Sequence, residues 1–299
     1  MLLFLRFLAL LPLRLLHLLG AAAGLLVYAF SPRYRRNLRE NMTGAGIAAT
    51  LHLAAAREAG KQALEMLKIW LRPQAEGVAM IKEITGQDCL DAALLQARES
   101  GRGILYLTPH LGCFEIIGQY LAAALGDITV LYRPPRYRIL HTLILIGRQR
   151  ERLHLAAADI SGVRALIRAL KRGEAVGMLP DQAPRAGEGV CLDFFGRPAY
   201  TMTLAARLSA AAGATLLVWG ERLPRGQGYR LHFSDPATPL EGDTIARAEQ
   251  INREIENLAR LCPSQYLWGY NRYKKGRNIT MKSVSAGDAA EDTAVEPPV

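Results

Sequence analysis

A chain of 299 residues that is 50% hydrophobic and 21% charged has ample material for a large core, which excludes a wholly disordered protein and leaves room for one catalytic domain or two small ones. The formal net charge of +10 and a pI near 9.7 predict attraction to polyanions, whether nucleic acid, anionic lipid headgroups or an acidic protein. The four cysteines, Cys89, Cys113, Cys191 and Cys262, have neither CxxC spacing nor a histidine placed to complete a zinc site, so they read as small apolar residues in a reducing compartment.

Residues 1–30 are nearly all Leu, Phe and Ala, with Arg6, Arg14 and His17 as the ionisable side chains. The summed apolar contribution outweighs the roughly 3 kcal/mol that a mid-membrane arginine costs, so the segment is expected to be a membrane anchor. On a helical wheel Arg6 and His17 nearly align and Arg14 lies about 80° away, a polar stripe that permits a pose along the interface as well as a span. Arg33, Arg35, Arg36 and Arg39 follow, and such an arginine excess places the next domain in the cytoplasm. Ala21, Ala22 and Ala23 resemble a signal-peptide cleavage site, but the basic run is the wrong flank for export. A buried core helix would need partners for two arginines.

Over residues 37–71 apolar side chains recur at helical spacing up to Pro73, predicting one or two amphipathic helices. Residues 91–100 form a further short helix. The run 103–107 (GILYL) reads as a buried strand closed by Pro109, and 114–125 as the helix that follows. Residues 128–132 are a strand, Ser161 caps a helix running to Lys171, and 175–179 are a strand ending at Pro180. A helix over 204–212, a strand over 215–219, an edge or hairpin strand over 229–233 and a long helix over 245–261 complete the pattern. Alternating strands and helices predict an α/β domain over residues 31–277 with a mixed sheet flanked by helices. Residues 278–299 have no apolar period and are expected to be a disordered tail.

Strand, turn and helix meet at Thr108-Pro-His-Leu-Gly-Cys-Phe-Glu115. In one continuous helix His110 and Glu115 would lie about 140° apart. With His110 at the strand exit, Gly112 in the turn and Glu115 in the first helical turn, the carboxylate is expected to fold back onto Nδ1–H, leaving Nε2 to remove a proton. Such a pair suits general-base activation of a hydroxyl. His154 and Asp159 share the spacing but lack the turn glycine, and Asp159 and Ser161 suit the cap of the following helix.

Around this pair the chain resembles the bacterial lipid A biosynthesis acyltransferases, the lauroyl and myristoyl transferase family, over roughly residues 1–277. The resemblance rests on the 108–115 segment, Tyr132-Arg133-Pro134, Gly162-Val-Arg-Ala-Leu-Ile-Arg-Ala-Leu-Lys171, Leu179-Pro180-Asp181-Gln182, Phe194-Phe195-Gly196-Arg197-Pro198 and Trp268-Gly-Tyr-Asn-Arg-Tyr-Lys274. Many relatives carry Asn-Trp where this sequence has Cys113-Phe114. The resemblance implies a glycerolipid-acyltransferase-like fold on the cytoplasmic side of a Gram-negative inner membrane. It also implies acyl carrier protein as donor and a hydroxyl of a lipid A precursor as acceptor.

Direct attack of that hydroxyl on the thioester, without an acyl-enzyme, is expected because no GxSxG elbow or Cys–His pair is visible. Arg164 or the backbone amides at Phe114 are the candidate oxyanion donors. Arg133 follows a strand and is a candidate for substrate phosphate, Asp181 for orienting a basic residue of the site, and Arg272 with Lys274 for lipid phosphate at the interface. Arg197 is a weaker candidate. An apolar pocket would measure chain length. No cofactor, nucleotide or metal is expected, since neither a P-loop nor a carboxylate cage is present.

Three rivals follow from the same residues. The +10 charge suggests a nucleic-acid-binding protein, but aromatics do not interleave the basic runs and the apolar start would be unexplained. A noncatalytic membrane assembly factor would be indifferent to His110→Ala. The same chemistry on another glycolipid or on an ornithine lipid is the nearest rival.

Overall fold

The computed structural model describes residues 2–135 and 138–274; the tail expected over 278–299 lies outside them. Helices α1 (Leu2–Leu10) and α2 (Leu13–Phe30) are separated at Leu11 and Pro12, where proline suits the residue before a new helix. Then come α3 (Pro32–Gly44), α4 (His52–Leu71) and the short α5 (Gln74–Val78). The α/β body runs β1 (Ile81–Thr85), α6 (Gln87–Ser100), β2 (Ile104–Leu107), α7 (Phe114–Ala124), β3 (Ile128–Tyr132), α8 (Arg138–Arg148), β4 (Leu153–Ala157), α9 (Ile160–Lys171) and β5 (Ala175–Met178). It continues through β6 (Gly189–Phe194), β7 (Arg197–Met202), α10 (Leu204–Ala211), β8 (Ala214–Arg222), β9 (Tyr229–Ser234) and α11 (Thr244–Leu261).

Seven strands form one mixed sheet in the order β1-β9-β8-β2-β5-β3-β4, and β6 and β7 form a separate hairpin. The five strands from β8 to β4 are mutually parallel, whereas β9 runs antiparallel to β8 and takes β1 alongside it in parallel. The strand expected over 229–233 is thus a hairpin strand, and β1 covers its outer side. β2 sits in the middle and is buried throughout. Its alternating side chains sort to the two faces, with Leu105 and Leu107 in the core under α9 and α11 and with Ile104 and Tyr106 in the core under α6 and α7.

At the start of α9 the cap falls to Asp159, the first of the two residues expected there, and not to Ser161. Asp159 is the N-cap, accepting from the Gly162 amide at 2.9 Å, and Ser161 donates its hydroxyl to that carboxylate at 2.7 Å. The carboxylate is the stronger acceptor for an unpaired helix amide, so the serine becomes its support. His154 turns instead to Asp127, at 2.8 Å.

The apolar N-terminus is packed against the body along one side. Gly20 and Gly24 of α2 meet Gly60 and Ala56 of α4 so closely that a Cβ on Gly60 would come within 1.9 Å of the Gly20 carbonyl oxygen. Leu16 and His17 are buried on this side, and Leu18, Leu26 and Phe30 are exposed on the other. α2 is long and apolar enough to cross a membrane. The polar stripe expected from the wheel is not formed: the break at Leu11 and Pro12 interrupts the helical register, Arg6 and Arg14 are exposed, and His17 points inward.

His17 bonds Glu65 of α4 at 2.8 Å, and Glu65 receives both Nε and Nη2 of Arg222, at 2.8 and 2.6 Å, and the Tyr229 hydroxyl at 3.1 Å. Arg222 also reaches Glu58 at 2.6 Å. Burial alone would raise the Glu65 carboxyl, but Arg222 and then His17 more than offset it and hold the group at about 2. A buried charge is tolerated when its lone pairs are met in this way.

Candidate active site

Two adjacent parallel strands place the reactive residues. β2 and β5 pair in parallel with Leu107 opposite Met178, so the segments leaving their carboxyl ends run side by side, where open sheets place their ligands. One carries His110, the other Asp181. The turn between β2 and α7 is fixed from several directions. Gly112 has φ +56°, and a Cβ there would meet the Gly220 carbonyl oxygen at 1.9 Å, so glycine is required by both conformation and space. The Gly112 amide donates to the Gln265 carbonyl at 3.0 Å, the Cys113 amide to Gly220 at 2.7 Å, and Gln62 of α4 donates to the Gly112 carbonyl at 3.0 Å.

His110 is held by Asp181. Its Nδ1 lies 2.6 Å from Asp181 Oδ1, and its backbone amide donates to Oδ2 at 2.9 Å. Asp181 is 3% exposed. Burial would raise its carboxyl, but the charge and hydrogen bonds of His110, aided by Tyr266, hold it below its ordinary value. With Nδ1–H donating to a carboxylate, the Nε2 lone pair faces the Gln182 amide nitrogen at 3.1 Å. The Phe114 ring stands edge-on to the imidazole, centroids 4.8 Å apart.

Glu115 is not the partner of His110. Trp70 Nε1 of α4 donates to its Oε2 at 2.9 Å, Arg148 Nε of α8 donates to the same oxygen at 2.9 Å, and Arg148 Nη2 donates to Oε1. The expected fold-back fails because two donors from other helices take the carboxylate while Asp181 already fills Nδ1. Arg148 is affected first by burial, which weakens its hold on the proton, and then by Glu115, which strengthens it beyond the ordinary guanidinium.

Three cavities surround these groups. One of about 60 Å³ has apolar walls from Tyr106, Gly118, Leu121, Ile128 and Leu153, with Phe114, Glu115 and Arg148 also on its lining. A wider cleft of about 650 Å³ brings Arg133 and Arg164 together with Arg185 and Arg207. Leu131 and Met178 line both, so the apolar cavity and the arginine cleft share a wall. A third cavity, about 10 Å³, is lined by His110, Asp181, Gln182, Tyr266, Tyr270 and Arg272 among others.

A family model described as bacterial lipid A biosynthesis acyltransferase matches residues 1–275. The chain belongs to that family. Among curated proteins, the lipid A biosynthesis lauroyltransferase of Escherichia coli is 29% identical over 219 residues, 72% of this chain and 69% of the relative. The E. coli lipid A biosynthesis palmitoleoyltransferase is 27% identical over 275 residues, 88% and 86% of the two chains. A lipid A biosynthesis acyltransferase of Haemophilus influenzae is 27% identical over 175 residues, so that match takes in 58% of this chain and little more than half, 54%, of the relative.

In this acyltransferase the residues singled out in the sequence separate into groups. His110 and Asp181 are bonded to each other, Arg133 and Arg164 share the cleft, and Glu115 lies on the apolar cavity. Arg272 is 4% exposed and bonded to Tyr200 and Thr201, so the expectation that it meets lipid phosphate at the interface is corrected: β6 and β7 cover it. Lys274 is exposed, over the Tyr270 ring. Arg197 stacks at 3.9 Å on Tyr273. Cys113 is buried beside Glu65 and Tyr229. Gln182, Tyr266, Trp70 and Arg148 join the site without a signal of their own in the sequence. Gln182 lies in the Leu179-Pro180-Asp181-Gln182 motif, whereas each of the other three is brought in by a helix or segment remote in sequence.

Proposed function

We propose that this acyltransferase moves a fatty acyl chain from acyl carrier protein to a hydroxyl of a lipid A precursor, with His110 as general base and Asp181 as the carboxylate that orients it. The observation that carries this reading is the His110–Asp181 pair, which places one imidazole nitrogen on a buried carboxylate and leaves the other as an acceptor. Nε2 takes the proton from the acceptor hydroxyl, whose oxygen attacks the thioester carbonyl. The tetrahedral intermediate collapses with loss of the C–S bond, and the imidazolium returns its proton to the leaving thiolate. A positioned base contributes about 10²–10⁴ in rate to such a step.

The apolar cavity suits a few methylenes of the acyl chain, and the Glu115–Arg148 pair lies on its wall. The neighbouring cleft, with Arg133 and Arg164 on its lining, suits the phosphates of donor or acceptor, because guanidinium groups bind phosphate oxygens in pairs. The Phe114 and Glu115 amides that open α7 are the donors offered to the oxyanion, since the Ile116 amide already bonds the Cys113 carbonyl.

The fold is read as glycerolipid-acyltransferase-like, and the protein is placed on the cytoplasmic side of the inner membrane. The exposed Leu3, Phe4, Phe7, Leu18, Leu26 and Phe30 form the side of α1 and α2 that would enter the leaflet, with Arg6, Arg14, Arg33 and Arg36 exposed near it for anionic headgroups.

The test is to incubate the full-length protein with acyl carrier proteins of several chain lengths and a lipid A precursor, then weigh the product. A gain of one acyl group, lost in His110→Ala, is expected. A product on another lipid class, with the lipid A precursor untouched, overturns the acceptor; retained turnover in His110→Ala overturns the base.

A further inference from the structure

Arg272 has no part in the chemistry proposed so far, although it lines the same small cavity as His110 and Asp181. Its Nη1 donates to the Tyr200 carbonyl at 2.7 Å and its Nη2 to Thr201 Oγ1 at 2.8 Å, and the guanidinium lies 4.9 Å from the centre of the Phe194 ring. These partners are neutral. Nε is buried and, among the described residues, unpartnered. A guanidinium in this setting is unfavourable unless an opposite charge stands nearby. Burial loosens its proton, and Tyr266 and Asp181 act in the opposite sense.

The facing groups make the electrostatics simple. Across the cavity of about 10 Å³ the described lining carries His110, Asp181 and Gln182 from the sheet end and Tyr266, Tyr270, Arg272 and Tyr273 from the C-terminal segment. The hairpin offers the Phe194 and Phe195 rings, and α3 offers Asn41. Cys191 of β6 also stands near the guanidinium. Asp181 is the anion and Arg272 the permanent cation of this lining. Arg272 and Asp181 both line this one small cavity. With Asp181 charged and His110 neutral the cluster has no net charge. A proton added to His110 makes it cationic in a buried place.

We propose that Arg272 is a positioning residue for the His110–Asp181 pair: a fixed positive charge, held from behind by Tyr200 and Thr201, that faces the same small cavity as Asp181 and adds to the field in which the pair works. This rests on the reading of His110 as general base.

The experiment compares the full-length protein in bicelles with Arg272→Lys, which keeps the charge, and with Arg272→Gln and Arg272→Leu, which remove it in polar and apolar form. Two readouts are taken: the pH profile of kcat/KM for acyl transfer, and the ring signals of isotope-labelled histidine followed through a pH titration, with His110 assigned by its loss in His110→Gln. In whichever neutral variant folds, the acid limb and the His110 ring titration are expected to move up by about one pH unit, a roughly tenfold loss of rate on that limb. Arg272→Lys should stay within about a third of a unit of wild type. Equal positions of both readouts in the lysine and neutral variants, whatever the loss of rate, overturn the proposal and leave Arg272 a packing residue. Turnover that survives His110→Ala would instead sink the general-base reading, while a shifted ring titration would still show the charge coupling.

Discussion

Asp181 holds the Nδ1 side of His110 at 2.6 Å, across 71 positions of sequence, while the nearby Glu115 is bound to Arg148 and Trp70. The two carboxylates therefore respond differently to loss of charge. Asp181→Asn is expected to lower kcat by about 10³–10⁴-fold with KM nearly unchanged, because the amide no longer fixes the tautomer or balances the imidazolium. Glu115→Gln leaves the imidazole pair intact but strips a half-buried arginine of its counter-charge, so thermal unfolding should reveal a loss of about 1–3 kcal/mol, with kcat of the folded fraction within about tenfold of wild type. Steady-state kinetics on both variants decides it: an active Asp181→Asn beside a folded, dead Glu115→Gln would reverse the assignment.

The apolar cavity makes a prediction about chain length. A Cβ on Gly118 would meet Leu153 Cδ1 at 3.5 Å, an ordinary contact, so the position accepts a side chain that occupies cavity volume. Gly118→Val should shift the preferred donor to a shorter chain by about two carbons and lower kcat/KM for the original donor roughly 10–200-fold. Mass analysis of products from a mixture of acyl carrier proteins measures the shift; an unchanged distribution would remove this cavity from the acyl path.

The arginine cleft leads to a binding prediction. Arg133→Ala and Arg164→Ala are each expected to raise the KM for a phosphorylated acceptor or donor about tenfold, with kcat within twofold, and to flatten the dependence on salt. Titrating donor and acceptor separately shows which one the cleft holds.

Much of the scaffold was legible in the sequence and the pairing was not. The GILYL run, its closing proline and the glycine turn marked β2 and the start of α7 because these depend on local propensity and burial. Strands β1 and β4 were missed: Ile81–Thr85 is largely exposed and Leu153–Ala157 lies at the sheet edge, so neither has the apolar run of a central strand. The β6–β7 hairpin was seen only as a motif. The partner of His110 was legible only as a residue type after β5, because the register of β2 against β5 decides that Asp181 arrives there. That register is a long-range property.

The Glu65 network predicts how stability depends on acidity. The folded carboxyl titrates at about 2, below the ordinary range near 4.3. Its contribution is therefore fully present above about pH 4.5 and lost as pH falls toward 2, amounting to roughly 3 kcal/mol. Denaturant unfolding between those limits should show the loss in wild type and a flatter profile in Glu65→Gln, which starts less stable; parallel profiles would refute the coupling.

Two leucines on opposite sides of α2 separate packing from membrane contact. Leu16 is 0% exposed and Leu18 67% exposed. Leu16→Ala should cost about 2–5 kcal/mol of stability and leave the membrane-bound fraction unchanged. Leu18→Asn should weaken flotation with liposomes and leave the melting temperature within a degree or two. Identical behaviour of the two would contradict the two-sided helix.

The close seat of Gly20 and Gly24 on Gly60 bears on how this protein is handled in the laboratory. Trimming a greasy leader is a common route to a soluble enzyme, but here the cut would take away His17 and open the Glu65–Arg222 pair to solvent, beside the helix that also supports the Gly112 turn. A shortened version starting at Ser31 would be a damaged enzyme; detergent or lipid is the better solvent, and surface redesign of Leu18 and Leu26 the better shortcut.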